Sequence, residues 1–364
     1  MSKGSQHESC LAGDSSNLDL LRSVAVLFVV ANHLFVVSGR FFVGPLNVQE
    51  LGRLGVLFFF VHTCCVLMCS IARQESKAPG QSIALSFFVR RAFRIYPLSV
   101  FTVAFVSIFA LPLGHFQNGT HVAVHLDRLG LFANYFLVQD IANRPSILVT
   151  LWSLPYEMHM YLLLPILYLL IKHRDGFYAL TILWVASIVV ALNPYHMALI
   201  GLGGFSQYIP CFLPGIMAYR LSTQRHAQLP WIFWPLSLLA IGCLFLAVPR
   251  IPMGWVICAL LGCAIPQFRE ATHGVWKGFS RIVARYSYGI YLTHLICIWF
   301  AFERLRALPS AAKWLIFLVT ATAFPVVLYH ALESPMINLG RRLSRPSTSK
   351  PAVVLPPVMT HPAS

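Results

Sequence analysis

Long apolar runs alternate with short polar stretches from one end of the chain to the other. A helix needs about 20 mostly apolar residues to cross a bilayer, and runs of this kind recur throughout. No polar stretch between them is long enough to form a separate soluble domain. The pattern predicts an all-α integral membrane protein, a bundle of about ten transmembrane helices. The predicted spans are 19–38, 54–72, 95–112, 151–171, 178–193, 199–219, 231–248, 251–267, 287–303 and 313–332.

Polar segments bound this predicted bundle at both ends. Residues 1–18 form a polar N-terminus of mixed charge, and the membrane domain is predicted to occupy 19–335. Residues 336–364 are basic and then rich in Pro, Ser and Thr. Such a composition cannot bury enough apolar surface to fold, so we expect a disordered tail.

Charge is scarce but unevenly placed. Charged residues make up 11% of the chain, about half the fraction usual in soluble domains. The net charge of +15 would suit nucleic acid, but the chain offers no soluble face to bind it. With a cytoplasmic N-terminus, 19 of the 27 Lys and Arg fall on the cytoplasmic side. This positive-inside pattern predicts that both termini are cytoplasmic.

The first predicted span contains two ionisable residues, Arg22 and His33, among apolar neighbours. Eleven residues separate them, which is about three helical turns, so both side chains share one face. They stand about 16 Å apart along the axis. Ionisable residues inside a membrane are costly and by default indicate a functional site.

Glu157 is an acidic residue near the start of the fourth predicted span. It could be an interfacial carboxylate in an aromatic belt with Trp152, Tyr156 and Tyr161. The first span runs outward and the fourth inward, so Glu157 and His33 are expected at a similar depth, roughly 8 Å from the outer edge. A carboxylate near an imidazole raises its basicity and fixes its tautomer, as a catalytic base requires.

Three arginines, Arg90, Arg91 and Arg94, precede the third predicted span at its cytoplasmic mouth. They could serve only as a topology anchor. Alternatively they form an anion site, since guanidinium groups bind phosphates well. Arg22 is predicted at the same membrane face and would join them.

Further histidines occur in the ninth span and in the long outer loop. Tyr291 and His294 belong to a polar stretch of the ninth span, and the predicted topology puts His294 in the cytoplasmic half. This ring could equally be a buried packing residue. His121 and His125 have an i, i+4 spacing that could bind a metal on a helix. No Cys or carboxylate stands at a suitable spacing, so no metal site is predicted.

Five segments resemble, in the same order, the motifs of the acyltransferase-3 family of integral membrane acyltransferases. They are LDLLRSVAVLFVVANH from residue 18, FFVRRAFRIYPL from 87, WSLPYEMHMYLLLP from 152, YSYGIYLTHL from 286 and YHALESPMINLGRRL from 329. The chain is most similar to the compact exopolysaccharide O-acetyltransferases of the xanthan acetyltransferase type. It departs from the family at Leu20, where Gly is usual, and at Thr63 and Cys64, which replace a Ser-Gly pair and follow an added His62.

The resemblance implies an enzyme that moves an acyl group, most often acetyl, from cytosolic acyl-CoA to an acceptor at the other membrane face. Acetyl-CoA would be the donor, with no permanently bound cofactor. The implied acceptor is a sugar hydroxyl of a bacterial exopolysaccharide or of its lipid-linked oligosaccharide unit. Membrane lipid and polysaccharide assembly proteins are further expected partners. The implied location is the bacterial inner membrane.

The residue pattern and the family resemblance together predict a role for each candidate residue. The cations expected to bind the CoA phosphates are Arg22, Arg90, Arg91 and Arg94. His33 would act as general base on the sugar hydroxyl or briefly carry the acetyl group itself, and Glu157 would orient its ring. Further polar lining is expected from Asp19, Trp152, Ser153, Tyr291 and His294.

A rival hypothesis is a transporter or flippase of lipid-linked sugars, which would also need buried charges in a positive-inside bundle. We detect no internal repeat, which disfavours transporter folds built from inverted halves. An interaction scaffold would leave the intramembrane Arg22 and His33 unexplained.

Overall fold

The structure is a computed structural model that describes residues 15–77, 83–117, 120–173, 175–224, 229–271 and 274–344. The helices α1 to α13, in chain order, are Ser16–Val37, Leu51–Lys77, Ile83–Ile108, Arg128–Phe136, Leu154–Lys172, Gly176–Leu192, Tyr195–Ala198, Gly203–Gln224, Phe233–Ala247, Ile251–Ala264, Val275–Ile298, Ser310–Leu328 and Ser334–Leu343. Short 3-10 helices occupy Val48–Glu50, Val149–Ser153 and Ile265–Gln267. π-helical turns occupy Trp299–Arg304 and Tyr329–Glu333.

Among the described residues, strands occur only in two small antiparallel hairpins. They pair β1 (Phe42–Val43) with β2 (Leu46–Asn47), and β3 (His115–Gln117) with β4 (Thr120–Val122). Each predicted span overlaps a helix. Within the described ranges, five helical segments are long and apolar enough to cross a membrane. The predicted fold class, an all-α membrane protein, is therefore confirmed, while the count of ten spans stays a prediction.

Two helices begin well before the apolar runs that predicted them. Helix α3 begins at Ile83 rather than at 95, and α11 begins at Val275 rather than at 287. A prediction from hydropathy places the end of a span at the first charged residues. Arg and Lys are good helix formers, however, and do not end a helix. As a result, the three arginines of α3 lie within the helix, and His294 lies in the last turns of α11.

The predicted boundaries at the two ends also shift. Helix α1 begins at Ser16, inside the segment expected to be a polar N-terminus. Helix α13 occupies the start of the predicted tail, because it packs against α3. A Cβ on Gly340 would lie 2.6 Å from the Phe93 Cβ, so the two helices are in close contact. The rest of the predicted tail, 345–364, lies outside the described residues.

Helix α2 forms the centre of the bundle, and α1 packs between α2 and α11. Glycine permits the closest approach of α1 to α2, since a Cβ on Gly55 would lie 2.4 Å from the Ala25 carbonyl oxygen. Gly215 of α8 meets the Val61 carbonyl of α2 in the same way, at 2.2 Å. These contacts hold the helix that bears Arg22 and His33 against the buried core.

Candidate active site

The start of α1 is fixed by hydrogen bonds to the loop before α11. Ser15 caps the helix, its hydroxyl oxygen accepting from the Leu18 N–H at 3.2 Å. The Glu270 carboxylate accepts from the Ser15 and Ser16 hydroxyls at 2.6 and 2.7 Å and from the Asn17 N–H at 3.0 Å. A carboxylate at a helix N-terminus satisfies free N–H groups and complements the helix dipole. This anchor sets the position of Arg22, two turns further on.

Arg22 opens into a buried cavity of about 90 Å³, which we call the arginine cavity. Its polar lining consists of Arg22, His62, Thr63, Arg91, Arg94, Ser153, Glu157, Tyr161, Ser287, Tyr288 and Tyr291. The volume can hold several water molecules or a slender chain, but not a nucleotide. Any phosphate-bearing headgroup must therefore stay at the mouth while a narrower part of the ligand enters.

Two of the three α3 arginines face this cavity. Arg91 and Arg94 line it, and the buried Arg91 Nε has no hydrogen-bond partner in the part of the chain that the structure describes. Arg90 lies apart, because its Nε donates to the Ser344 hydroxyl at 2.7 Å beside α13. Successive residues on a helix point about 100° apart, so adjacent arginines cannot share one face.

A second carboxylate, Glu333, stands behind Arg94 on the π-helical turn Tyr329–Glu333. The Arg94 Nη2 lies 3.9 Å from the Glu333 Oε1, and the Glu333 side chain is only 1% exposed. With Glu157 and Asp19, this gives three carboxylates near the three guanidinium groups of the cavity. Guanidinium groups are suited to bind an anionic ligand.

Glu157 lies in the arginine cavity and not beside His33. The Tyr161 hydroxyl donates to the Glu157 Oε2 at 2.6 Å, so Tyr161 belongs to the site and not to an aromatic belt. The depth expected from sequence is wrong, because it is Thr150, in the 3-10 helix Val149–Ser153, that lines the His33 region. Glu157 follows seven residues later, about 10 Å further along the chain, and lines the arginine cavity.

His33 lines a separate cavity of about 150 Å³, the histidine cavity. Its other polar residues are Asn32, Arg53, Thr150, Trp152 and Tyr291. The His33 ring packs against the His294 ring with 5.2 Å between centroids. His294 is therefore not in the opposite half of the membrane, as the predicted span had implied, but level with His33.

The tautomer of His294 follows from a hydrogen bond of its ring. Its Nδ1 lies 3.0 Å from the Ile290 carbonyl oxygen, and because a carbonyl can only accept, Nδ1 carries the proton. In the neutral ring, Nε2 then bears a lone pair. This Nε2 is buried and has no hydrogen-bond partner among the residues that the structure describes.

Tyr291 forms the wall between the two cavities, since its side chain lines both. Its hydroxyl donates to the Thr150 carbonyl at 2.7 Å and lies 2.8 Å from the Ser153 hydroxyl. Since the only tyrosine proton is given to Thr150, Ser153 is the donor in the second bond. Val56 also lines both cavities.

Asp19 and Trp152, the remaining residues of the predicted lining, flank these cavities. Asp19 lies in the first turn of α1 and contributes to the electrostatic environment of Arg22. Trp152 lines the histidine cavity and packs against Tyr208, with ring centroids 5.4 Å apart.

Several lining residues were not assigned from the sequence. Tyr161 stands one helical turn after Glu157, and His62 is an intramembrane histidine. Both residues could therefore have been identified from the sequence as candidates for the site. Glu333 and Arg53 come from distant parts of the chain, and no local pattern places them here.

His121 lies on β4 rather than on a helix and pairs through its Nδ1 with Glu303. In the part of the chain that the structure describes, no cluster of three or more His, Cys, Asp or Glu could hold a metal.

Taken together, the fold and the two cavities define a helical membrane protein with a buried, arginine-lined cavity next to an imidazole pair. Residues 15–330 match the family model described as an acyltransferase domain, Acyl_transf_3. The match covers most of the chain, and the protein therefore belongs to the acyltransferase-3 family of membrane acyltransferases. No curated protein and no solved structure gives a significant match.

Proposed function

We propose that this protein is a membrane O-acetyltransferase of the compact exopolysaccharide type. It moves the acetyl group of cytosolic acetyl-CoA to a sugar hydroxyl of a bacterial exopolysaccharide or of its lipid-linked repeat unit. The observation that carries the proposal is the placement of Arg22 and His33. One helix presents a guanidinium in a cationic cavity and, about 16 Å further along its axis, an imidazole in a second cavity.

The donor would bind from the Arg22 end. Arg22, Arg91 and Arg94 attract the phosphates of acetyl-CoA, which stay at the mouth because the arginine cavity is too small for a nucleotide. The slender pantetheine arm enters the cavity and passes Tyr291, bringing the thioester to the histidine cavity. Glu157 then belongs to the donor end, where it and Tyr161 shape the cavity wall.

The imidazole pair would carry out the transfer. His33 takes the proton of the sugar hydroxyl, the oxygen attacks the thioester carbonyl, the C–S bond breaks and the proton passes to the leaving thiolate of CoA. In an alternative two-step route, His33 first takes the acetyl group from the thioester and then passes it to the sugar hydroxyl. The atoms and charges balance as in the direct route. The His294 ring packs against the His33 ring and would help to position it.

The location follows from the same proposal. With the Arg22 end facing the cytosol, both termini are cytoplasmic and the histidine cavity lies toward the outer face of the inner membrane. The positive-inside distribution of Lys and Arg supports this orientation. Polysaccharide assembly proteins that deliver the acceptor would then meet the protein at its outer face.

The test compares the surface polysaccharide of the native host with and without the gene, using NMR signals of O-acetyl groups. We expect these signals to vanish on deletion, to return with the wild-type gene and to stay absent with H33A. His196 is an exposed histidine outside both cavities, so H196A serves as the matched control and should restore them. Unchanged acetylation after deletion would exclude this acceptor. Transport of lipid-linked sugar that depends on the protein but not on acyl-CoA would favour the flippase.

A further inference from the structure

A large apolar crevice lies on the outside of the bundle, apart from both cavities. Its volume is about 700 Å³. Its walls are the end of α3, the end of α11 with the π-helical turn Trp299–Arg304, and one face of α12. Aromatic side chains line much of it, among them Phe109, Trp299 and Phe324.

The crevice opens sideways, toward the surface that the bundle turns to lipid. Phe109, Val319 and Val327 line it and are each more than half exposed. Val319, Ala323 and Val327 follow one face of α12 at intervals of four residues, which extends the crevice over about 12 Å. An elongated apolar groove at this surface fits a hydrocarbon chain.

One end of the crevice carries a single charge. Arg304 is the one charged residue in its lining, and among the residues that the structure describes it has no ion pair or hydrogen bond. The adjacent Glu303 is already engaged by the ring and backbone N–H of His121. The Thr320 hydroxyl donates to the Ile316 carbonyl. The exposed guanidinium of Arg304 is therefore available to a ligand in the crevice, and guanidinium groups bind phosphate well.

The charged end lies at the same end of the bundle as the imidazole pair. Ile296 and Cys297 line the crevice and fall within one turn of His294, whose ring contacts His33. Arg304 closes the π-helical turn that continues α11 beyond them. Such π-helical turns occur frequently at functional sites.

We propose that this crevice binds the lipid carrier of the acceptor. A polyisoprenoid chain occupies the apolar groove, its phosphate contacts Arg304, and the attached glycan reaches the histidine cavity. The inference rests on the proposed function and adds the acceptor's binding site to it. A bulk phospholipid offers the same chain and phosphate, but it carries no sugar hydroxyl to place beside His33. This proximity is the reason to assign the crevice to the carrier.

The test measures binding of undecaprenyl phosphate to the purified full-length protein in detergent by native mass spectrometry, without any acyl donor. R304Q removes the charge, and A323F fills the groove. Each has a control nearby in the chain that does not line the crevice, R306Q and T322F. We expect R304Q to weaken binding about tenfold or more, as for loss of a charge-assisted contact. A323F should weaken it similarly, and the controls should match the wild type.

Wild-type affinity in both R304Q and A323F would overturn the proposal. Equal binding of phosphatidylglycerol and undecaprenyl phosphate would overturn it too, since the crevice would then hold bulk lipid. R304Q alters an exposed side chain, so it remains informative if A323F fails to fold. If the carrier binds as expected but polysaccharide acetylation does not depend on the protein, the proposed function fails and the site stands. If R304Q and A323F acetylate normally, the site fails and the function stands.

Discussion

The imidazoles of His33 and His294 lie 5.2 Å apart, centroid to centroid, although 261 residues separate them in the chain. His294 donates through Nδ1 to the Ile290 carbonyl, and its Nε2 has no hydrogen-bond partner within the described ranges of the chain. A histidine with a fixed tautomer is suited to position a second, reactive histidine. This pair, rather than His33 with Glu157, forms the chemical centre of the proposed reaction.

The first prediction concerns this pair. H33A should lower acetyl transfer by about 10²–10⁴-fold, the usual contribution of a general base. H294N keeps an N–H near the position of Nδ1 but lacks Nε2, so we expect kcat and its pH profile to change while KM for acetyl-CoA stays near the wild-type value. Both are measured with purified protein. An H294N enzyme with a wild-type pH profile would restrict His294 to packing.

The second prediction separates the α3 arginines. R91Q should raise KM for acetyl-CoA about ten- to hundredfold, because a charged contact to phosphate contributes about 1.5–3 kcal/mol. Arg90 faces Ser344 instead, so R90Q should raise KM less. A short thioester donor without phosphates, S-acetyl-N-acetylcysteamine, should react equally with R91Q and wild type. Equal KM increases for R90Q and R91Q would contradict the division of these arginines.

The third prediction concerns the hairpin formed by β3 and β4. Glu303 accepts from both the backbone N–H and the ring of His121, and the His121 side chain is 1% exposed. Removing one partner of a buried pair typically costs about 3–5 kcal/mol, so E303Q should lower Tm in detergent and expose the hairpin to limited proteolysis. Glu50 pairs with Arg53 at a more exposed site, so E50Q should have a much smaller effect.

The fourth prediction is a pH dependence at the start of α4. The Gly130 N–H donates to the Asp127 carboxylate at 2.7 Å and Arg144 binds it as well. These contacts lower the pKa of Asp127, the Gly130 hydrogen bond being the larger cause. A lowered pKa in the folded state stabilises the protein above the unfolded-state value, about 3.9, and this contribution is lost as pH falls through the folded-state pKa.

D127N should therefore lower Tm at pH 7, and the difference from wild type should shrink at pH 3. Asp175 also precedes a helix, but its side chain makes no capping hydrogen bond. D175N is thus the matched control and should leave Tm almost unchanged at either pH. A Tm difference between D127N and wild type that is independent of pH would show that the effect is steric and not electrostatic.

The sequence by itself determined the class of protein and the approximate place of the helices that overlap the ten predicted spans, and it indicated Arg22 and His33 as candidate site residues. These features are local, because a span must be apolar for about 20 residues to cross the bilayer. An ionisable residue within a span is costly and therefore indicates a functional site. The five motif segments likewise indicated the family without any structure. Helix ends were less predictable, since charged residues that end an apolar run do not end a helix.

Only the tertiary structure decided which side chains meet. Glu157 joined the arginines because Thr150, and not Glu157, packs at the level of His33, and Arg90 turned away because adjacent residues on a helix face different directions. His294 reached His33 because α11 begins at Val275, and Glu333 reached Arg94 from a π-helical turn near the end of the membrane domain. Each contact joins distant segments, and packing between helices, which no local pattern encodes, determined them.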